Sequence, residues 1–368
     1  MDQLKVVNLP RKVSIWAGNA DEIILDVGDV DAPQRVVTNL SYGGSFFGGG
    51  SATVTVWEPG GISVFPQQGG GVWRIRIDDR DCFYGFFDKS HSDRVGGGYM
   101  RTFQLVDLLT AWDLTLNNIL PTGHTTENPS TTFTLSDALN WMINGDGTAE
   151  YPGVADATMS GIPFIGSMPT TSVLVRDQYE DKVLVIPNST YLAEIQKLAQ
   201  LMGVTVYQNP SQRAITCADA LLPGLGDFTY EKERLKEASF DVDAATIPAT
   251  VMIVDDATHK AAAYGKYGAT ADLLNFQMTG RNNLAYMSTI GVDHAKLINM
   301  AQDVYDVSRH ASQILTFIYA GLEPDKKMLG KRFSWQDNEG RYGLYYCSGF
   351  TATLTPTSVY TAIEAYVA

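Results

Sequence analysis

The sequence predicts an α+β chain that is mainly β, with two β domains flanking a small mixed region. Three observations carry this expectation. Short segments that alternate apolar and polar residues, rich in Val, Ile, Trp, Tyr and Phe, crowd both ends of the chain. Helical spacing of apolar residues is confined to the middle and to one later segment. Glycine, at 34 residues, cuts the alternating segments to strand length.

At 368 residues, 45% of them hydrophobic, the chain is long enough for more than one core. From Lys12 to about Leu105 the strand-like segments are VSIWA, EIILDVGDV, ATVTVWE, VWRIRIDD, CFYGFFDKS and YMRTFQL. Within the fourth, Trp73, Ile75 and Ile77 share one face while Arg74, Arg76 and Asp78 share the other. DDRD at 78–81 then forms the turn of an antiparallel hairpin with one wet face. The stretch YGGSFFGGGS at 42–51 runs into a strand and opens no helix, so it reads as a surface loop and not as a phosphate cradle.

In the middle, TFTLSDALNWMING sets Leu135, Leu139, Met142 and Ile143 at helical spacing. Thr134 and Asp137 act as a capping box and Gly145 as the stop. Residues 144–171 lack periodicity and read as an extended loop. NSTYLAEIQKLAQLMG places Leu192, Ile195, Leu198, Ala199 and Met202 on one stripe, with Ser189 or Thr190 to cap and Gly203 to terminate; VTVYQ, NPS and QRAITCA then make a hairpin. The run YEKERLKE mixes both signs and reads as an exposed linker or helix face.

Strand texture returns in PATVMIVDD and LLNFQMTG. A helix from Asp293 to about Ser308 uses Leu297, Ala301, Val304 and Tyr305, and the strands ILTFIYAG, RFSWQD, YGLYYCSGF and TATLTP follow, with DNEG at 337–340 as a hairpin turn. The expected division is residues 1–105, 106–237 and 238–368.

Charge narrows the function. With 41 acidic against 27 basic residues the net charge is −14, which opposes any surface that binds nucleic acid by neutralising phosphates. Cys82, Cys217 and Cys347 stand far apart and read as buried free thiols of a protein made in a reducing cytoplasm. No apolar run approaches membrane-spanning length, the segment 314–322 being among the longest, so neither a signal peptide nor membrane insertion is expected.

The residues that could carry chemistry all have a plainer reading. His91, His124, His259, His294 and His310 are scattered, without zinc-site spacing. Asp78, Asp79 and Asp81 read as turn formers and not as the paired carboxylates of a glycosidase. NGDG at 144–147 lacks the alternating ligands of a calcium loop, and no nucleophile elbow occurs. No catalytic, cofactor-binding or metal-binding residue is therefore assigned, and the chain is not expected to be an enzyme.

Three stretches resemble the phage tail baseplate hub family, also called the late control protein D family. VWRIRIDDRDCFYGFFDKSHS followed by YMRTFQLVDLL is similar to the end of that family's first barrel, with Tyr84, Gly85 and Asp88 on its Tyr-Gly-x-x-Asp pattern. YLAEIQKLAQLMGVTVYQNPSQRAIT is similar to its mid-chain helix and hairpin, and RFSWQDNEGRYGLYYCSGFTATLTP to its second barrel.

The resemblance implies two β-barrel-like domains per chain and a homotrimer whose ring is pseudo-six-fold. Such a ring adapts a hexameric tail tube to a trimeric spike and lets the genome pass. The implied partners are tail tube or tube-initiator proteins, the central spike, baseplate wedge proteins and the tape measure protein. DNA is a partner only in transit, and the implied location is the virion tail baseplate. The alternative is a receptor-binding or carbohydrate-binding tail module, with Trp57, Trp73 and Tyr345 stacking on sugars.

Overall fold

The computed structural model describes residues 12–17, 23–26, 36–60, 72–111, 139, 143, 165–167, 190–242, 248–255, 258–265, 284–289, 294–336 and 342–368. The first part of the chain gives β1 (Lys12–Ala17), β2 (Ile23–Asp26), β3 (Val36–Ser45), β4 (Ser51–Pro59), β5 (Val72–Ile77), β6 (Arg80–Val95) and β7 (Gly98–Val106), then a short α1 (Leu108–Ala111). The middle gives β8 (Ile165–Ser167), α2 (Tyr191–Leu201), β9 (Val204–Gln208) and β10 (Ala214–Asp219). The last part gives β11 (Leu235–Val242), β12 (Thr250–Asp255), β13 (Lys260–Gly265), β14 (Leu284–Thr289), α3 (His294–Ala311), β15 (Gln313–Ala320), β16 (Arg332–Gln336), β17 (Tyr342–Thr355) and β18 (Ser358–Val367). The chain is mainly β, as expected.

One 12-stranded sheet holds strands from both ends of the chain, and within it the same unit occurs twice. In the first copy the strand order across the sheet is β3, β4, β7, β6; in the second it is β11, β15, β18, β17. Both run first, second, fourth, third in chain order. The equivalence extends to single residues. Each closing hairpin has a two-residue turn, with Val95 opposite Gly98 and Thr355 opposite Ser358. Counting back from those turns, each outer strand carries a bulge at the same place, Asp88 in β6 and Ser348 in β17. The first strands bulge at matching places too, Thr38 against β4 and Lys236 against β15. A short strand flanks the first half of each long one, β5 on β6 and β16 on β17.

The repeats differ outside this unit. In the first, β1 pairs with β5, β2 with β1, and Asp26 of β2 meets Val36, so the ladder from β3 returns to β3 through β4. In the second, the segment 226–228 lies along Arg332 instead: Phe228 N donates to Arg332 O, Arg332 N donates to Gly226 O, and the Tyr230 hydroxyl caps Ser334 O. The free edge of β16 is thereby covered by its own chain.

The two repeats are joined edge to edge. Residues 349–354 of β17 pair antiparallel with residues 40–45 of β3, which places Tyr42 opposite Ala352 and Leu40 opposite Leu354. All four side chains are buried, and Phe350 packs edge-on against Tyr42. The close approach explains the glycines: a Cβ on Gly43 would stand 2.1 Å from Phe350 O. The stretch read from sequence as a surface loop is thus partly the strand at this joint, with Tyr42 and Phe46 in the core. Gly43→Ala is expected to cost about 1–3 kcal/mol through overpacking, read as a lower denaturant midpoint at unchanged m.

The sequence locates the β5 and β6 hairpin well. Trp73, Ile75 and Ile77 are fully buried, and Asp78 and Asp79 form the turn with φ of 45° and 63°. The segments YGLYYCSGF and TATLTP are one strand running through the Ser348 bulge. YEKERLKE is exposed at 231–233 and forms a short helical turn over Lys232–Arg234, as expected of an exposed linker or helix face, but from Leu235 it continues as the strand β11.

A second core lies beside the sheet. It is built from α2, α3 and two three-stranded sheets, ordered β8, β10, β9 and β13, β12, β14. Ile195, Leu198, Ala199 and Met202 are buried, Thr190 Oγ1 accepts from Ala193 N as the cap, and Gly203 ends the helix at φ 66°. Leu139 and Ile143, the described positions of the segment expected to be helical, are both helical and buried. Thr134, Asp137, Gly145, DNEG and LLNFQMTG lie outside the described residues.

Candidate functional site

The acidic cluster weighed for chemistry serves as structure. Asp81 pairs with Arg74 at 2.6 Å and with Arg76 at 3.3 Å, while Asp78 Oδ1 accepts from Lys12 N at 2.9 Å. Arg74 in turn lies over the rings of Trp16 and Tyr84. All three cysteines are free and buried, and burial raises all three thiols, Cys82 to about 12, which opposes the thiolate form that a nucleophile needs.

His91 is exposed on β6, where it meets Asp93 at 3.0 Å, and His310 Nδ1 lies 3.1 Å from Val367 O. His124 and NGDG fall outside the described residues; among those described, no cluster of three metal-ligating side chains occurs and no helix is long and apolar enough to cross a membrane. Trp73 is enclosed by Phe87 and Phe103 with no exposed surface, which removes it from any sugar-stacking platform. Tyr345 is half-buried against Phe333. On the hub-like pattern, Gly85 is required because a Cβ would stand 2.2 Å from Val106 O, and Asp88 is the bulged residue of β6.

Three buried polar groups fix the parts of the chain to one another. Glu323, after β15, accepts from the Tyr42 hydroxyl at 2.5 Å and from Arg80 at 2.6 Å, tying the second repeat to the first. Gln208, at the end of β9, accepts from Leu108 N and donates to the carbonyls of Tyr84 and Gln212. Asp107 accepts from Gly50 N at 2.5 Å and from Thr110 N at 2.8 Å, capping α1 and pinning the loop after β3.

Burial pushes the Asp107 carboxyl up to about 6, although the bonds from Thr110 and Gly50 pull it down. The native state therefore holds this proton at a pH where the unfolded chain has lost it, so stability falls as pH climbs from about 4 to about 6. Asp107→Asn should remove a decline on the order of 2–3 kcal/mol over that window, seen in denaturant midpoints taken from pH 4 to pH 7.

Among the described residues, the feature available for function is the eight-strand run formed by the two repeats. Its two ends are open among the described residues. At one, residues 88–95 of β6 are exposed on both faces and pair only with β7; at the other, β11 pairs only with β15 and leaves Phe240 51% exposed. Such edges are templates for further strands.

One face of this run packs on the core, and alternation assigns the other. The open face carries Ser41, Ser45, Ser51, Thr53, Thr55, Thr102, Ser239, Thr316, Thr351 and Thr353 together with the half-buried Trp57, Met100, Val106, Ile314 and Ile318, so hydroxyls are its most frequent group. Outside the bulges its fixed charges are Glu237, Asp241, Glu364 and Asp93, against Lys89. A concavity of about 270 Å³ opens on this face over the joint, lined by Ser41, Gly43, Ser51, Thr351, Ala362 and Glu364.

No protein-family model and no curated protein sequence matches the chain. Solved structures do. Over 96% of this chain and 96% of the other, the fold is similar to the tail protein from Neisseria meningitidis MC58, with a TM-score of 0.65 at 12% identity. Over 96% and 97%, it is similar to the 43 kDa tail protein of prophage MuSo2 from Shewanella oneidensis, with a TM-score of 0.62 at 12% identity. Over 92% and 75%, it is similar to an E. coli type VI secretion system component that exhibits structural similarity to the T4 bacteriophage tail proteins gp27 and gp5, with a TM-score of 0.54 at 10% identity. The chain thus has the fold of these tail proteins.

Proposed function

We propose that this chain is the structural hub of a phage tail baseplate, in which three copies form a pseudo-six-fold ring between a hexameric tube and a trimeric spike. The observation that carries the proposal is the duplicated four-strand unit, joined edge to edge inside the chain and open at both ends among the described residues. Two different open edges per chain are what a head-to-tail ring requires, and closure after three copies gives six similar units in succession. Strands β3, β4, β6 and β7 supply one ring unit and β11, β15, β17 and β18 the other, so the second unit begins at Leu235 inside the expected middle region, and β8–β10, β12–β14, α2 and α3 pack alongside them.

The open face supports passage of a polyanion. Hydroxyls carry no net charge and so exert no long-range pull on phosphates, and the excess of carboxylates over Lys89 repels them, which favours sliding over adhesion. The work is done by shape, with no reaction to catalyse and no cofactor. The protein sits in the tail baseplate of the virion.

The reading is tested by co-expression with tube and spike proteins of the same tail, followed by pull-down and light scattering. The expected complex contains this chain as a trimer bound to both partners. A chain that stays monomeric within finished particles overturns the proposal.

A further inference from the structure

The internal joint is a template for the contact between copies. Because the repeats match residue for residue at turns and bulges, every position of the β17 and β3 pairing has an equivalent on the two open edges. Residues 350–354 of β17 correspond to residues 90–94 of β6, since both are counted from the same two-residue turn and pass toward the same bulge. Residues 40–44 of β3 correspond to residues 238–242 of β11, counted from the matching bulges against β4 and β15.

Resting on the ring proposed above, we infer that residues 90–94 of β6 pair antiparallel with residues 238–242 of β11 in the next copy. The register sets Ser90 opposite Val242, His91 opposite Asp241, Ser92 opposite Phe240, Asp93 opposite Ser239 and Arg94 opposite Ala238.

The backbone hydrogen-bond pattern is consistent with this assignment. In a hairpin closed by a two-residue turn the closing pair, Val95 and Gly98, exchanges hydrogen bonds. His91 and Asp93 then bond toward β7, and Ser90, Ser92 and Arg94 turn their N–H and C=O groups to the open edge. At the internal joint Phe46 N donates to Ser348 O at 2.7 Å, which makes 350, 352 and 354 the outward positions there. These are the equivalents of 90, 92 and 94.

Side chains then set the character of the seam. Tyr42, Phe350, Ala352 and Leu354 of the internal joint are replaced at the seam by Phe240, Ser90, Ser92 and Arg94. The buried apolar contact of the joint becomes a mostly polar one, with Phe240 as its single large apolar group. On the open face His91 stands between Asp93 of its own strand and Asp241 of the next copy, with Lys89 further along the same face. The joint is permanent, and the seam forms on assembly.

Cysteine pairs test the register in the full-length chain, whose three native thiols are buried. His91→Cys with Asp241→Cys occupies a pair that does not exchange backbone bonds, where the Cα atoms stand about 4.5 Å apart, within disulfide range. Arg94→Cys with Ala238→Cys is a second in-register pair, and His91→Cys with Ser239→Cys is off register by two. Under mild oxidation both in-register variants should yield a covalent trimer on a non-reducing gel, while the off-register variant and the single variants yield none. Trimers seen by light scattering that cross-link only off register, or not at all, overturn the seam and leave the ring standing. Chains that form no trimer, alone or in assembled tails, overturn both.

Discussion

Arg80→Ala is expected to lower the unfolding free energy by about 3–5 kcal/mol at neutral pH, toward the lower figure because 24% of the Arg80 side chain is exposed. Its partner Glu323 has only 1% of its side chain exposed and keeps the Tyr42 hydroxyl and its own backbone N–H as donors. Burial already raises the Glu323 carboxyl above its ordinary value, while Arg80 and then Tyr42 pull it back. Without the guanidinium the carboxyl rises further, so the native state binds its proton more tightly than the unfolded chain does. Stability then falls more steeply as pH climbs above about 4.5, and the loss is greatest at pH 7 and above. Tyr42→Phe, which removes one hydrogen bond but leaves the pair, should cost about 1–3 kcal/mol. Denaturant titrations of both variants from pH 4 to pH 8 check this. An Arg80→Ala loss of the same size at every pH contradicts the assigned cause.

Ser92→Pro is expected to abolish association while leaving the isolated chain close to its original stability, within about 1 kcal/mol. The Ser92 N–H faces the open edge, so proline removes a donor needed by the next copy and none used by β7. Asp93→Pro, one residue along, strikes an N–H that bonds to β7 and should destabilise the hairpin itself. Light scattering combined with denaturant midpoints separates the two: the first variant loses mass but not midpoint. Retention of the trimer by Ser92→Pro contradicts the seam.

The parts of the fold that were legible in the sequence are those with one wet and one dry face. Trp73, Ile75 and Ile77 alternate with Arg74, Arg76 and Asp78, and Ile195, Leu198 and Met202 recur at helical spacing, because each element has the core on one side only. The strands that build the joint and the seam break that rule for different reasons. In β3 the backbone of β17 approaches too closely for a side chain at Gly43, so the strand carries the glycine of a loop. In β11 water reaches both faces, so Lys236, Glu237 and Asp241 erase the alternation. The Ser348 bulge shifts the register of β17 midway and divides one strand into two apparent ones. The candidate site consists of these very segments: its hydroxyls, edges and bulges carry no residue pattern that reactive chemistry would have imposed.

The strands β1 and β2 accompany the first repeat, whereas the segment 226–228 stands at the corresponding place in the second. In the proposed ring, a neighbour that touches only the shared four-strand units meets the same surface at every sixty-degree step. A neighbour that reaches the flanks meets β1 at alternate steps alone. A single chain can thereby present one periodicity to what lies on its common surface and half that periodicity to what grips its margin, and no second gene product is needed to convert between them.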